Sequence, residues 1–371
     1  MTIILFLIVL AILIFVHELG HFLLARACHV RVDEFKIGFG PKLVKWKRGE
    51  TEYGVNLIPF GGFVKIFGEN PDEESTHGPH AKRSFVNQKR WKQVLVLVAG
   101  VTFNFLFAWL LYIGIFSTGI NAAPEDFPQY ADRFTNERVM IVAISPGSPA
   151  DKAGIKAGDV IHSIAVENSK PALTADSRSL VTEIQNVLNA SGGNLITLDY
   201  VRGDQDYTTS LKAVTGITEG KYAIGIGLNK AVTFKLPVLT SVGVALNYTW
   251  VMIKNTVIGL YTFVATAIVG KAHLSDISGP VGIAVYVGDA YQLGFSTLLL
   301  FTALISINLG VINLIPFPAL DGGRVFFVFL EALFRRRIPA KFTNTVNLVG
   351  FVLLMLLMVV VTWQDIAKLV M

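Results

Sequence analysis

The stretch LIVLAILIFVHELGHFLLARA, residues 7–27, combines an apolar run with two histidines and a glutamate. The run 2–25 is long enough to cross a membrane as a helix, which takes about 20 residues. Ionisable side chains inside a membrane are energetically costly, so their presence there indicates a functional site. The stretch therefore predicts a transmembrane helix that carries a functional site.

The motif HELGH, residues 17–21, has the spacing of a metal-binding pair. His17 and His21 are four residues apart, so a helix places both imidazoles on one face, where they can bind one zinc ion. In HExxH zinc proteases the glutamate, here Glu18, is the general base. The alternative interpretation is that these side chains face the interior of a helical bundle for structural reasons. Zinc binding is favoured because it gives each imidazole a strong partner in an apolar environment.

The composition is typical of a membrane protein. Of 371 residues, 52% are hydrophobic and 16% are charged, and the mean hydropathy is +0.54. The net charge of +5 does not indicate nucleic-acid binding, because the basic residues gather beside the apolar runs. The single cysteine, Cys28, excludes an intrachain disulfide. Residues 25–27 resemble a signal-peptide cleavage box, but no basic segment precedes the apolar run, so we expect it to remain as a span.

Four apolar runs, of which the last three are uncharged, predict four transmembrane helices, at 2–25, 94–116, 295–315 and 346–362. Pro316 and Pro318 end the third, because proline cannot continue a helix. The loop 25–95, with thirteen Lys and Arg, and the basic loop around 335–341 are both expected to be cytoplasmic. Both lie on one side only if 236–270 does not cross. We therefore expect that segment to be interfacial or packed against the bundle.

The segment 124–234, between the second and third spans, is then expected outside the cytoplasm. Its strand-like runs alternate with helical patterns, which predicts a small α+β domain. The strand-like runs are 139–144, 160–166, 195–201, 207–211 and 222–228, and the helical patterns are near 149–154 and 182–189. The expected division is 1–123 for the first two spans and the basic loop, 124–234 for the α+β domain, and 235–371 for the remainder.

HELGH leaves one ligand missing, because catalytic zinc usually takes three protein ligands and a water. The other histidines lie outside the predicted spans, as is typical of surface residues: His29, His77, His80, His162 and His273. A better candidate is Asp321 in NLIPFPALDGG, residues 313–323, which follows the third span on the side where His17 also lies. Gly322 and Gly323 would allow an unusual turn there. The alternative is that Asp321 only forms a common Asp-Gly turn.

Together these motifs resemble the site-2 protease family of intramembrane zinc metalloproteases, of the bacterial regulator-of-sigma-E type, over most of the chain. HELGH matches the first signature and NLIPFPALDGG the second, in which the aspartate completes the zinc site. The resemblance implies a zinc metalloendopeptidase with His17, His21 and Asp321 as ligands of Zn²⁺ and Glu18 as the catalytic base. It implies an α-helical polytopic membrane protein with a re-entrant β segment.

By the same resemblance, Asn313 and Pro318 would hold substrate near the metal, and Asn308 in SINLGVINL, residues 306–314, stands in a matching position. The alternative for Asn308, and likewise for Asn104 of the second span, is that the side chain only forms a hydrogen-bonded link between helices. AGVTFNF, residues 99–105, resembles the family's GxxxN helix motif through Gly100 and Asn104, with Val101 where a proline is usual.

EFKIGFGP, residues 34–41, and YGVNLIPFGGFVKIFGE, residues 53–69, resemble the family's re-entrant β segment. Gly61 and Gly62 permit close approach of another backbone. A strand edge in 52–65 could then pair with an unwound substrate and replace the hydrogen bonds of its helix. The alternative is an ordinary cytoplasmic hairpin.

ISPGSPADKAGIKAGDVIHSI, residues 144–164, resembles a circularly permuted bacterial PDZ domain, with the run from Tyr222 as its peptide-binding edge. About 110 residues leave room for one such domain. The resemblance implies an inner (plasma) membrane protein with an extracytoplasmic PDZ domain that binds a substrate C-terminus or excludes bulky substrates. Its substrates would be transmembrane proteins or peptides, such as anti-sigma factors or remnant signal peptides. The competing hypotheses are a non-enzymatic membrane anchor that presents a PDZ domain, and a transporter with midplane histidines.

Overall fold

The computed structural model describes residues 2–122, 127–167, 180–203, 205–218, 221–271 and 277–370. The chain divides into two compact units. The first contains Met1–Tyr112, Ala245–Gly288 and Phe301–Met371, and the second contains Ile113–Val244 and Asp289–Leu300.

The described helices are α1 (Thr2–Ala27), α2 (Glu73–His77), α3 (Arg90–Thr118), α4 (Pro149–Lys152), α5 (Leu180–Ala190), α6 (Val238–Ile268), α7 (Pro280–Gln292), α8 (Phe295–Asn313), α9 (Asp321–Phe334) and α10 (Ala340–Val370). The strands are β1 (Val32–Arg48), β2 (Thr51–Ile66), β3 (Ile120–Ala122), β4 (Phe134–Ile144), β5 (Val160–Val166), β6 (Leu195–Arg202), β7 (Gln205–Lys212), β8 (Val214–Thr218), β9 (Lys221–Ala223) and β10 (Ile226–Phe234).

Five helices of the described residues are long and apolar enough to cross a membrane: α1, α3, α6, α8 and α10. Four of them correspond to the predicted spans. The fifth, α6, covers the segment expected at the membrane surface and is a continuous helix of 31 residues. The expected count of four is therefore not confirmed. That expectation rested on the membrane side of two distant basic loops, and the length and hydropathy of α6 itself point the other way.

In the first unit, β1 and β2 form an antiparallel sheet of two long, bent strands. Phe35 of β1 lies opposite Tyr53 on one side and Val64 on the other, so β2 folds back and pairs with β1 from both sides. Gly61 sits at the bend of β2 with φ +88°, a conformation that side chains disfavour. The last arm of β2, residues 62–66, therefore forms an edge of the sheet, and strand character in 52–65 is confirmed.

Aromatic packing holds this sheet against α1. Phe22 of α1 lies 5.0 Å from Phe35 and 5.9 Å from Tyr53, measured between ring centroids. Aromatic pairs at these separations add to the free energy gained by burying their surface. The sheet is thus fixed beside the C-terminal half of α1, where the HELGH motif lies.

The second unit contains a six-stranded antiparallel sheet in the order β3-β10-β4-β5-β6-β7. Alternate residues of β6 are buried, as expected for a sheet with one face on a core. Helix α5 contributes Ile184 and Leu188 to that core. The predicted α+β architecture is present, except that the run 222–228 is broken into β9 and β10. Gly225, with φ +83°, interrupts it, and its carbonyl accepts a hydrogen bond from Ser145.

Candidate metal centre

Helix α1 presents the two motif histidines on one buried face. His17 and His21 are 8% and 7% exposed, and their Nε2 atoms lie 3.2 Å apart. This is the arrangement that a four-residue spacing produces on a helix. Both rings therefore turn the same nitrogen toward one point.

Asp321 brings the third side chain to that point. Its Oδ2 lies 3.0 Å from Nε2 of His17 and 3.2 Å from Nε2 of His21. Asp321 is the first residue of α9, and Ala319 precedes it in the left-handed region, with φ +75°. The predicted convergence of the three side chains is therefore present in the structure.

The two glycines after Asp321 act differently from the expectation of an unusual turn. They lie in the first turn of α9, where a Cβ on Gly322 would collide with the carbonyl of Leu314 and one on Gly323 with that of Phe317. Their small size lets α9 start against the chain that ends α8. This close packing, rather than a special φ, is what brings the Asp321 carboxylate back to α1.

The three atoms fit one metal ion. Among the described residues, His17, His21 and Asp321 form the candidate metal site, called here the metal-ligand group, and their ligand atoms all lie within 4.8 Å of one another. Oδ2 of Asp321 is buried without a hydrogen-bond partner, which is costly for a carboxylate unless a cation satisfies it. Two ligands about 2.0–2.1 Å from a tetrahedral zinc lie about 3.3–3.4 Å apart, close to the spacings observed here.

Helix α3 holds the opposite side of both rings. The carbonyl of Val96 lies 2.8 Å from Nδ1 of His21, and the Asn104 amide lies 3.2 Å from Nδ1 of His17. A Cβ on Gly20 would come within 2.5 Å of the Ala99 carbonyl, so α1 and α3 nearly touch. The sequence could not indicate the Val96 contact, because every residue carries a backbone carbonyl.

Glu18 points from the same motif toward the sheet. Its Oε2 accepts a hydrogen bond of 3.0 Å from the backbone N–H of Val64, on the edge arm of β2. A Cβ on Gly62 would lie 3.8 Å from Cγ of Glu18. An edge of the sheet, half-buried at residues 62–64, thus runs directly beside a carboxylate that adjoins the metal-ligand group.

The other predicted residues have separate surroundings. Oδ1 of Asn308 accepts a hydrogen bond of 3.1 Å from Thr256 of α6, which matches a link between helices. Asn313 is the last residue of α8, and Pro318 packs against Gly350 of α10. Gly61 lies at the bend of β2. Their proposed contact with substrate remains a prediction.

One ion pair near the site has no counterpart in the sequence analysis. Arg324, one turn after Asp321 on α9, pairs with Glu69, which follows β2. Glu69 and Arg324 also line a cavity of about 220 Å³. Arg324 could have been recognised from the sequence as a neighbour of the site, because it follows Asp321 by three residues and residues i and i+3 share a helix face.

Comparison with known proteins identifies the family of the chain. The family model described as Peptidase family M50 matches residues 5–357. A candidate zinc metalloprotease of Clostridium perfringens is 37% identical over 95% of each chain, and one of Clostridium acetobutylicum is 35% identical over 96% of this chain and 94% of its own. Zinc metalloprotease RasP of Geobacillus kaustophilus is 30% identical over 99% of this chain and 98% of its own. The chain belongs to peptidase family M50, the site-2 protease family, and it is a zinc metalloprotease of the membrane.

Proposed function

We propose that this protein is an intramembrane protease that hydrolyses peptide bonds within or near the transmembrane segments of other membrane proteins. One observation carries the proposal. Asp321 meets His17 and His21 of α1, which is an apolar helix long enough to span a membrane. A metal site there acts on substrates that lie within the membrane. We assign the three side chains as the zinc ligands.

The chain's own groups account for the chemistry. When bound, zinc lowers the pKa of a coordinated water toward about 7 and polarises the scissile carbonyl. Glu18 accepts the proton of the attacking water and delivers it to the leaving amine nitrogen. The hydrogen bond from Val64 fixes the Glu18 carboxylate without occupying both of its oxygens.

The edge arm of β2 is the proposed site for the substrate backbone. A helical substrate must unwind to expose a carbonyl, and each unsatisfied group costs several kcal/mol in lipid. A strand that pairs with residues 62–66 would recover those hydrogen bonds beside Glu18. Asn308, Asn313 and Pro318, on and after α8, remain proposed substrate contacts.

Contacts around the metal-ligand group support four net crossings. His17 contacts Asn104, whereas His21, further along α1, contacts Val96, which comes earlier in α3. The two helices are therefore antiparallel. Asp321, after α8, returns to the same level, so α8 brings the chain back to the side that α3 left. The chain between α3 and α8, which includes α6, then makes no net crossing. We propose that the loops with most Lys and Arg face the cytoplasm of a bacterial plasma membrane.

For the second unit we propose a PDZ-like domain outside the cytoplasm. Helix α5 lies against β9, and the two elements would flank a groove for a peptide C-terminus. Such a domain would admit transmembrane substrates that have lost their outer portion. Anti-sigma factors and remnant signal peptides both fit that description.

Replacement of the proposed base tests the enzymatic step. Glu18→Gln should lower cleavage of a membrane-spanning model peptide in proteoliposomes by at least about 100-fold, because general-base catalysis contributes about 10²–10⁴. Zinc content should stay at the level of the parent protein. Glu73→Gln, at an exposed position on α2, is the matched control and should cleave normally. Cleavage by the Glu18 variant at the parent rate would refute this role.

A further inference from the structure

The two metal-facing histidines differ in what holds their second nitrogen. Nδ1 of His21 lies 2.8 Å from the carbonyl of Val96. A carbonyl oxygen can only accept, so this Nδ1 carries a hydrogen and Nε2 of His21 keeps a free lone pair for a metal. The backbone of α3 thus fixes the form of His21, and no side chain is needed for it.

His17 is held by a side chain instead. Its Nε2 faces Oδ2 of Asp321 and Nε2 of His21, while its Nδ1 lies 3.2 Å from Nδ2 of Asn104. An amide N–H that donated to Nδ1 would force the ring hydrogen onto Nε2, where it would point into the metal-ligand group. With this orientation, Oδ1 of Asn104 is also buried and without a hydrogen-bond partner.

A half-turn of the Asn104 amide about its Cβ–Cγ bond removes both difficulties at once. Oδ1 then accepts a hydrogen from Nδ1 of His17, and Nε2 of His17 presents a lone pair to the metal, as Nε2 of His21 does. The half-turn moves the unpaired position from the oxygen to the amide nitrogen. We propose that Asn104 is a positioning residue whose side-chain oxygen fixes His17 as a zinc ligand; this rests on the ligand set given under Proposed function.

The consequence is that α3 holds both rings from behind, at Val96 through the backbone and at Asn104 through a side chain. Asn104 is fully buried, and its own carbonyl accepts a hydrogen bond of 2.8 Å from Ser306 of α8. Its position is therefore set by packing between helices. Removing a group that orients a metal-bound histidine typically lowers metal affinity 10–100-fold.

Zinc competition tests the proposal on the purified full-length protein. The apparent zinc affinity is measured by titration with a chelator and elemental analysis of the protein fraction. Asn104→Leu, which has no acceptor, should bind zinc 10–100-fold more weakly. Asn104→Asp, which keeps an acceptor, should bind at least as tightly as the parent protein. Thr249→Val, which removes a buried hydroxyl of α6 bonded to the carbonyl of Ala245, should leave zinc affinity unchanged.

Two results would overturn the proposal: parent-like zinc affinity in Asn104→Leu, or a tenfold loss in Asn104→Asp. If the leucine variant does not fold, Asn104→Ala, which also lacks an acceptor, takes its place with the same expected loss of zinc affinity. Asp321→Ala separates this proposal from the assignment of the ligands. Zinc lost from Asp321→Ala but kept by Asn104→Leu refutes only the role of Asn104, whereas zinc kept by Asp321→Ala refutes the ligand set itself.

Discussion

Glycines set how closely α1 and α3 approach at the metal-ligand group. Gly100 of α3 lies directly over the two imidazoles, where a Cβ would come 2.8 Å from Nε2 of His17 and would also collide with Nε2 of His21. Gly20 makes the reciprocal contact from α1 toward Ala99. A single methyl group at either position would therefore disturb the geometry of the proposed metal ligands, although neither glycine can bind metal.

This packing predicts that Gly100→Ala weakens zinc binding. The added methyl group must push the imidazoles apart or separate the helices, so we expect at least a tenfold loss of zinc affinity and a matching loss of cleavage. Gly114→Ala on the same helix is the control, because nothing lies within 4 Å of its added Cβ. Chelator competition on both variants checks the expectation, and equal affinities would contradict it.

For single residues, the sequence predicts which side chains form the site better than it predicts the partners that hold them. The four-residue spacing of His17 and His21 places them on one helix face, and the three-ligand requirement of zinc pointed to Asp321, which the structure places beside them. The partners of these groups were not predictable. Val96 and Val64 act through backbone atoms, and the contact of Asn104 with His17 joins residues 87 positions apart.

Among the elements, the bent sheet of β1 and β2 determines what lies beside Glu18. Lys36 of β1 is 3% exposed and pairs with Glu34 and with Glu52, the latter at 2.8 Å. Lys36 and Lys42 both donate to Glu52 and lower the pKa of its carboxyl from 4.5 to about 2. These ion pairs join β1 to the part of β2 that precedes the bend at Gly61. They therefore support the edge arm, residues 62–66, that follows the bend.

We expect Lys36→Met to destabilise the protein, because it leaves Glu34 and Glu52 close together without their shared cation. The thermal midpoint should fall by several degrees at pH 7, whereas Lys45→Met, at an exposed position of the same hairpin, should change it little. The lowered pKa of Glu52 stabilises the fold above pH 4.5, and this contribution is lost as the pH falls toward about 2. The midpoints of parent and Lys36→Met should therefore converge in acid; a constant difference would count against this ion pair.

The residue pattern of the hairpin predicted strands but not their pairing. Strand character in 52–65 follows from its β-branched and aromatic residues, yet the return of β2 along the second side of β1 depends on the bend at Gly61. Likewise, apolar content alone predicted the long helices, but the short helix α9 depends on close packing of Gly322 and Gly323. Contacts between distant segments decide such features, and a local pattern does not contain them.

For the whole molecule, the question is how often the chain crosses the membrane. Among the residues that the structure describes, hydropathy gives five candidate helices, whereas the contacts of α1, α3 and Asp321 favour an even number of crossings between the two basic loops. Only α6 is placed differently by hydropathy and by these contacts. Sequence rules based on loop charge and helix length conflict here, because an apolar helix can lie along or within a bundle without a net crossing.

Cysteine labelling in intact membrane vesicles should place both basic loops on one side. Cys28, the sole cysteine, is buried, so Cys28→Ala gives a clean background. Lys47→Cys and Arg336→Cys, both at exposed positions, should react with an impermeant reagent only from the cytoplasmic side. Asp206→Cys in the second unit should react only from the opposite side. Labelling of positions 47 and 336 from opposite sides would establish five crossings and refute the proposed topology.

X-ray absorption at the zinc edge of the purified protein directly observes the proposed ligands, His17, His21 and Asp321. We expect two imidazole nitrogens and carboxylate or water oxygens at about 2.0–2.1 Å from the zinc, and a changed spectrum for Asp321→Ala. A sulfur ligand at about 2.3 Å, which only Cys28 or a methionine could supply, or a spectrum unchanged in Asp321→Ala, would contradict this expectation.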